Sequence, residues 1–337
     1  MKEAILWKAK TKETVECQAC NFRCKVEPGK QGICGVRKNV DGKLFSLVYG
    51  EISSVNADPI EKKPLFHFHP GILTYSIGTI GCNFKCLFCQ NYDISNAEPD
   101  EANFFGKEIT PEEVVKNAKE NDCKAIAYTY NEPSIFIEFV LDTAELAKKE
   151  GLYNVYVTNG YETNEALLQL KGKIDAMNID LKSMNSDFYL KKCGAVDVKK
   201  VLETIKLAHE MGFWVEITTL IIPENNDSEE ELKQIVEFIA SINKDIPWHI
   251  SRFFPMHEME DIPPTPINTL LKAYRIAKDT GLKHVYIGNL DEPKYQNTIC
   301  PKCSNIAIER NWREGIVNFK LKGNKCQECG EEIAGFF

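Results

Sequence analysis

Short apolar runs alternate with longer amphipathic ones from residue 72 to residue 287. Residues 72–77 (ILTYSI), 125–130, 153–158, 175–181, 213–222, 248–253 and 283–287 have the length and β-branched or aromatic content of single strands. Between them, residues 134–150 place Ile135, Phe139 and Leu146 at helical spacing, and 163–170, 197–211, 227–243 and 266–280 read as helices too. Gly212 and Gly281 stop two of these, as a glycine just past a helix end does, and Ser228 is a candidate N-cap. Thr163 opens its helix without the acidic residue of a capping box, because Ala166 stands three residues on. Strands alternating with helices predict βαβ units and a parallel sheet. Six or seven such units fit an open or complete (β/α) barrel better than a dinucleotide-binding sheet. Chemistry in such barrels gathers at the C-terminal ends of the strands. Polar clusters follow the strands here: residues 82–89, Asn131 with Glu132, Thr158-Asn159-Gly160, Asp180 with Lys182, and Arg252.

The chain has 337 residues, enough for two to three domains, and 27 % charged against 43 % hydrophobic residues is the balance of a folded protein. Its formal net charge of −8 is unevenly spread. Residues 1–50 carry ten basic and five acidic side chains, whereas residues 51–299 carry 25 against 39. An acidic middle argues against a broad grip on a nucleic-acid backbone. The basic N-terminal segment reads first as a solvated face. Apolar runs such as 219–223 are far short of the roughly 20 residues that cross a bilayer. Lysines at 2, 8, 10 and 12 interrupt any signal-peptide core, so a cytoplasmic protein without membrane contact is expected.

Thirteen cysteines in a chain of that kind point to metal or redox chemistry rather than disulfides. Eleven fall into three clusters: Cys17, Cys20, Cys24 and Cys34; Cys82, Cys86 and Cys89; and Cys300, Cys303, Cys326 and Cys329. The middle trio has the spacing C-x3-C-x2-C. Three thiolates on one loop hold three irons of a [4Fe–4S] cube and leave the fourth open to a substrate or cofactor. Zinc is the competing reading. It requires a fourth ligand, for which His67 or His69 is available in sequence.

The string Gly81–Asn91, with an aromatic residue before the last cysteine, resembles radical S-adenosylmethionine enzymes, and pyruvate formate-lyase activating enzymes in particular. Over almost the whole chain the resemblance narrows to the AmmeMemoRadiSam-system radical enzymes. It runs through residues 17–37, 127–133, 157–161, 178–182, 216–223, 249–255, 288–289 and the C-terminal cysteine pairs. It implies an α/β fold, a partial (β/α)6-type barrel over residues 66–298, between a cysteine-rich module (1–65) and a C-terminal zinc ribbon (299–337). It implies a [4Fe–4S] cluster on Cys82, Cys86 and Cys89. S-adenosylmethionine would chelate the open iron and be cleaved reductively to a 5′-deoxyadenosyl radical that takes hydrogen from a substrate C–H bond. Phe88 would pack by the adenine, with Ile221 and Ile222 flanking it. Glu132 would accept from the ammonium group of the cofactor, although Tyr130 and Asn131 replace two glycines of the related pattern. Thr158 and Asn159 would meet the ribose and carboxylate, and Asp180 and Lys182 match an Asp-x-Lys whose lysine partners the carboxylate. His249 and Arg252, ending the sixth strand, would face the substrate. Cys193 would be placed to return a hydrogen atom.

The expected substrate is a glycine on a partner protein or a small phosphorylated or carboxylated metabolite, with RNA a weaker choice. A reducing donor such as ferredoxin or flavodoxin and Memo-like and Ammecr-like proteins are the implied partners. The pairs Cys300/Cys303 and Cys326/Cys329 are knuckles of a zinc ribbon, which staples a segment too small for a core. The set C-x2-C-x3-C-x9-C at the N-terminus holds zinc or a second iron–sulfur cluster, and spacing does not decide between them. A binding module without catalysis, with zinc in all three clusters, is the reading of a different class.

Overall fold

A computed structural model describes residues 1–96, 106–311 and 315–337. Eight strands form its central sheet: β1 (Ser54–Pro59), β2 (Leu73–Gly78), β3 (Ala125–Tyr128), β4 (Tyr153–Thr158), β5 (Ala176–Asp180), β6 (Trp214–Ile221), β7 (Trp248–Arg252) and β8 (Val285–Gly288). They lie side by side in chain order, with β1 and β8 at the two edges. Strands β2 to β8 are parallel, and β1 runs antiparallel to β2, Ser54 opposite Gly78 and Pro59 opposite Leu73. Each parallel step moves one strand in the same direction, so all the C-terminal strand ends line one edge. Segment 54–59 was expected in the N-terminal module. It belongs instead to the central sheet, where it covers the otherwise bare edge of β2.

The crossovers carry α1 (Pro111–Glu120), α2 (Ile137–Lys149), α3 (Asn164–Leu170), α4 (Ser186–Lys192), α5 (Val198–Glu210), α6 (Glu229–Ile242) and α7 (Ile267–Thr280). Helix α6 buries Leu232, Ile235, Val236 and Ile239, the stripe of one helical face. Each such side chain contributes about 1.5–3 kcal/mol through burial. Ser228 caps α6 by accepting from Glu231 N at 3.2 Å, as its position implied. Apolar periodicity did not mark α1. Its signal is local: Thr110 and Glu113 form a capping box, and Pro111 occupies the first turn. The segment 134–150 starts as a 3-10 turn, Pro133–Phe136, before becoming α2. Strand β3 is buried throughout, which is why its residues, Ala125–Tyr128, show no polar alternation.

Two small antiparallel sheets make the N-terminal module: Trp7–Ala9, Val15–Cys17 and Lys25–Val26; and Lys2–Glu3, Lys43–Ser46 and Arg37–Val40. The module sits over the C-terminal ends of β3 and β4. Phe22 packs edge-on against Tyr161 at 4.9 Å, Cys20 bridges Glu162, and Arg37 pairs with Glu138 of α2 at 2.7 Å. At the opposite edge sits the C-terminal hairpin, Ile306–Asn311 with Gly315–Phe319. Phe336 there packs against Phe68 and against Trp214, the first residue of β6. No helix among the described residues is long and apolar enough to cross a membrane.

Candidate functional site

The loop leaving β2 carries Cys82, which is buried, and Cys86 and Cys89, which are partly exposed. Its path is held from both sides. Asn131 Nδ2 donates to Thr79 Oγ1 (3.0 Å) and to the Gly81 carbonyl (2.8 Å), and Asn91 Nδ2 donates to the Tyr130 carbonyl (2.7 Å). Beyond, Lys85 N and Leu87 N donate to the carbonyls of Cys193 and Lys192, each at 2.9 Å. Gly81 has φ +82°, and a Cβ there would meet the Cys34 carbonyl at 2.6 Å, so only glycine makes this turn.

Around the loop the structure gathers much of what the sequence singled out. Lys182 Nζ pairs with Asp180 at 2.6 Å and lies 5.7 Å from the Phe88 ring centroid. The Asp180 carboxylate and the neighbouring Cys86 and Cys193 thiols hold its pKa well above that of an ordinary lysine, despite burial that lowers it. Cys193 is fully buried. Its thiol hydrogen-bonds Cys86 and, with burial, pushes the Cys86 pKa well up; burial does the same to Cys82 and Cys89. Such thiols become thiolates when a metal takes the proton's place. Asn159 donates to Asn83 Oδ1 at 2.7 Å, while Asn159 Oδ1 and Asn83 Nδ2 stay buried without a partner beside Cys82. Phe88 is buried against Phe188. Ile221 and Ile222 are buried where β6 ends.

Three residues have other work than expected. Glu132 is 1 % exposed, and its carboxylate already accepts from Ser134 N (3.0 Å), Thr158 Oγ1 (3.0 Å) and Asn159 N (2.8 Å). It caps the turn before α2 and braces β4 rather than opening toward a ligand. Thr158 spends its hydroxyl on Glu132 and Glu162. His249 is the second residue of β7, not its end, and its Nε2 pairs with buried Glu216 at 2.6 Å. Glu216 also accepts from Phe66 N, His67 N and Trp214 Nε1, so His249 belongs to a polar network inside the sheet. Arg252 does end β7; its Nε donates to the Thr265 carbonyl (2.8 Å) and its guanidinium stacks over Phe254.

Sequence reading missed Glu162, which is buried beside Glu132. Burial and the Glu132 charge raise its pKa well above the usual carboxylate range. Asn83 was visible only as part of the loop and Asn131 only as a neighbour of Glu132; nothing local marked the bonds of Asn131 to Thr79 and Gly81, 52 and 50 residues away.

His67 Nδ1 and Nε2 are engaged by the Ala334 carbonyl (2.7 Å) and Tyr286 OH (2.5 Å). His69 stacks on Tyr153, the first residue of β4, at the far edge of the sheet. Neither histidine completes a zinc site on the trio. At the C-terminus, by contrast, Sγ separations are 3.6 Å (Cys300–Cys329) and 3.8 Å (Cys303–Cys326), and all four ligand atoms lie within 4.8 Å of one another. Among the described residues this is the one group of three or more so close. The Asn305 backbone N–H brings the Cys303 pKa down to about 7. These four thiols are placed to hold a metal ion.

The superfamily description "Radical SAM superfamily" matches residues 76–239, the stretch from the middle of β2 to the last turn of α6. The uncharacterized protein MJ0808 of Methanocaldococcus jannaschii is 44 % identical over 335 residues, 99 % of each chain. A putative glycyl-radical enzyme activating enzyme of the same organism, MJ1632, is 31 % identical over 205 residues, 59 % of this chain and 74 % of that one. The chain belongs to the radical SAM superfamily. It is a radical SAM enzyme with glycyl-radical activating enzymes among its relatives. The superfamily implies a [4Fe–4S] cluster and S-adenosylmethionine, and the three-thiol loop with its orphaned amide atoms is the place in this radical SAM fold that suits them. Among solved structures, Streptococcus suis SuiB bound to S-adenosylmethionine shares the fold, with a TM-score of 0.51 and 14 % identity, over 68 % of this chain and 53 % of that one.

Proposed function

We propose that this chain cleaves S-adenosylmethionine reductively at a [4Fe–4S] cluster and abstracts hydrogen from a substrate C–H bond. The observation that carries the reading is the loop of Cys82, Cys86 and Cys89, with three thiols, His67 and His69 engaged elsewhere, and Lys182 beside it. When bound, the cluster and S-adenosylmethionine supply an electron and a carbon radical. The chain does the rest. Cys82, Cys86 and Cys89 hold the iron. Lys182, kept charged by Asp180, offers a cation to a carboxylate. Asn159 Oδ1 and Asn83 Nδ2 offer one acceptor and one donor that nothing else uses. Phe88 and Ile222 line the region with apolar surface and keep water out.

The singly wound order of β2 to β8, with its six crossovers, supports a partial (β/α)6-type barrel. Sγ spacing near that of a tetrahedron with Zn–S of about 2.3 Å, whose edge is about 3.8 Å, supports zinc at the C-terminal site. The naming of MJ1632 favours a glycine on a partner protein as substrate. A small anionic metabolite held by Arg252 is the other choice, because that side chain stands at the C-terminal end of β7. A low-potential donor of the ferredoxin or flavodoxin kind, Memo-like and Ammecr-like partners, membership of the AmmeMemoRadiSam system, and a cytoplasmic location complete the proposal.

The test is anaerobic reconstitution with iron and sulfide, followed by dithionite and S-adenosylmethionine, with 5′-deoxyadenosine measured. Product formed by the native chain and lost in Cys86→Ala is the expected result. Full reconstitution with no 5′-deoxyadenosine would overturn the proposal.

A further inference from the structure

Cys17, Cys20, Cys24 and Cys34 surround a small cavity, open over about 10 Å³ at its centre, where the N-terminal module meets the Pro133–Phe136 turn. A tetrahedral zinc site has no such space, because sulfurs about 2.3 Å from the metal touch one another around it. The C-terminal quartet of this same chain shows what a collapsed site looks like, with pairs at 3.6 and 3.8 Å. No three of the N-terminal cysteines come within the 4.8 Å that groups the C-terminal four. All four nonetheless line one cavity. A cubane spreads its thiolates to roughly 6 Å, each on a different iron. Nor do Cys82, Cys86 and Cys89 all come so close together.

A second observation points the same way. Arg37 and Ser134 line the cavity, and each carries a buried polar atom without a partner: Arg37 Nε and Ser134 Oγ. Both residues are at least 98 % buried. Arg37 Nη1 and Nη2 donate to the Glu138 carboxylate and Nη1 also to the Ile135 carbonyl, while Nε finds no partner. Unused buried donors cost stability unless an acceptor arrives. Metal-bound thiolates accept such bonds, and the bridging sulfides of a cluster add further acceptors, through which its potential is tuned.

We infer that Cys17, Cys20, Cys24 and Cys34 bind a second, four-iron iron–sulfur cluster, with Arg37 Nε and Ser134 Oγ donating to its sulfurs. All four irons take protein ligands, so no corner is open to a substrate, and the cluster's chemistry is to accept and pass one electron. It abuts the first site: Cys34 packs its carbonyl against Gly81, the residue before Cys82.

The experiment uses the full chain, reconstituted anaerobically, in native form and as the triple variant Cys82→Ala/Cys86→Ala/Cys89→Ala. About eight irons and one zinc per chain are expected for the native protein, and about four irons, four sulfides and one zinc for the variant, with a Mössbauer doublet of a [4Fe–4S]2+ cluster. Two zincs per chain, or no iron in a folded variant, would overturn the inference. If the variant does not fold, the native count decides, since four irons with two zincs contradicts the assignment and eight irons with one zinc upholds it. Should the proposed function fail while this site stands, both proteins would hold the same four irons.

Discussion

Glu138→Ala tests how the N-terminal module is fastened. Both carboxylate oxygens of Glu138 accept from Arg37, at 2.7 and 3.0 Å, and Oε1 also accepts from Ile5 N at 3.0 Å. Both side chains are at most 2 % exposed. Removing one partner of a buried pair strands the other's charge and costs roughly 3–5 kcal/mol. The lost Ile5 bond adds about 1 kcal/mol. Every lost contact joins residues 5–37 to α2, so the loss is felt first as local opening of the module. Four to six kcal/mol is roughly a 10³- to 10⁴-fold rise in that opening equilibrium. Hydrogen exchange of amides in residues 15–40 reads it directly. Lys191→Ala, which breaks an exposed pair with Asp187, is the control and is expected to leave exchange unchanged. Arg37→Met with Glu138→Leu restores most of the protection, because apolar residues of similar volume replace a buried pair without an orphan charge. Protection within a factor of about five of native in Glu138→Ala, equivalent to about 1 kcal/mol, would refute the reasoning.

Other outcomes follow from the same geometry. Lys182→Met removes the cation beside the loop and is expected to lower 5′-deoxyadenosine formation about 10- to 100-fold, by raising the S-adenosylmethionine concentration needed for half rate; unchanged kinetics would count against a carboxylate contact. Glu162 has a raised folded-state pKa, so the stability it contributes is full below about pH 4.5 and is lost as pH climbs through the folded value. Glu162→Gln, neutral at every pH, is therefore expected to flatten the fall in melting temperature as pH rises above about 4.5. Gly81→Ala forces a Cβ to within 2.6 Å of the Cys34 carbonyl and is expected to abolish cluster incorporation at Cys82 while circular dichroism stays near native. Cys303→Ser removes one ligand of the C-terminal site; zinc content falls by about one per chain and proteolysis after residue 298 becomes faster.

Much of the molecule is legible in one dimension because its signals are local. Strand and helix alternation, the Ser228 cap, the glycine stops at 212 and 281, and the cysteine spacings each depend on neighbours a few residues away, where backbone sterics and short hydrogen bonds act. That is why the parallel sheet, the loop of Cys82, Cys86 and Cys89 and the C-terminal quartet were readable before any coordinates. Lys182 beside Asp180 was readable too, since alternate residues of a strand share a face.

What tertiary structure alone decided is which of these groups meet and how far apart they stand. Residues 54–59 look like any polar-rich connector until the bare edge of β2 supplies their hydrogen bonds. Glu132 looks like a ligand contact until Thr158 and Asn159, from the next strand, claim its oxygens. His249 looks like a strand-end residue until Glu216, 33 positions earlier, is found 2.6 Å away. The metal inferred at the N-terminal cysteines turns on the open space between them, lined also by Arg37 and by Ser134 of the turn after β3. Spacing along a chain names the ligands; the distance across the hole they leave, fixed by packing between a module and a sheet about 100 residues apart, selects what they hold.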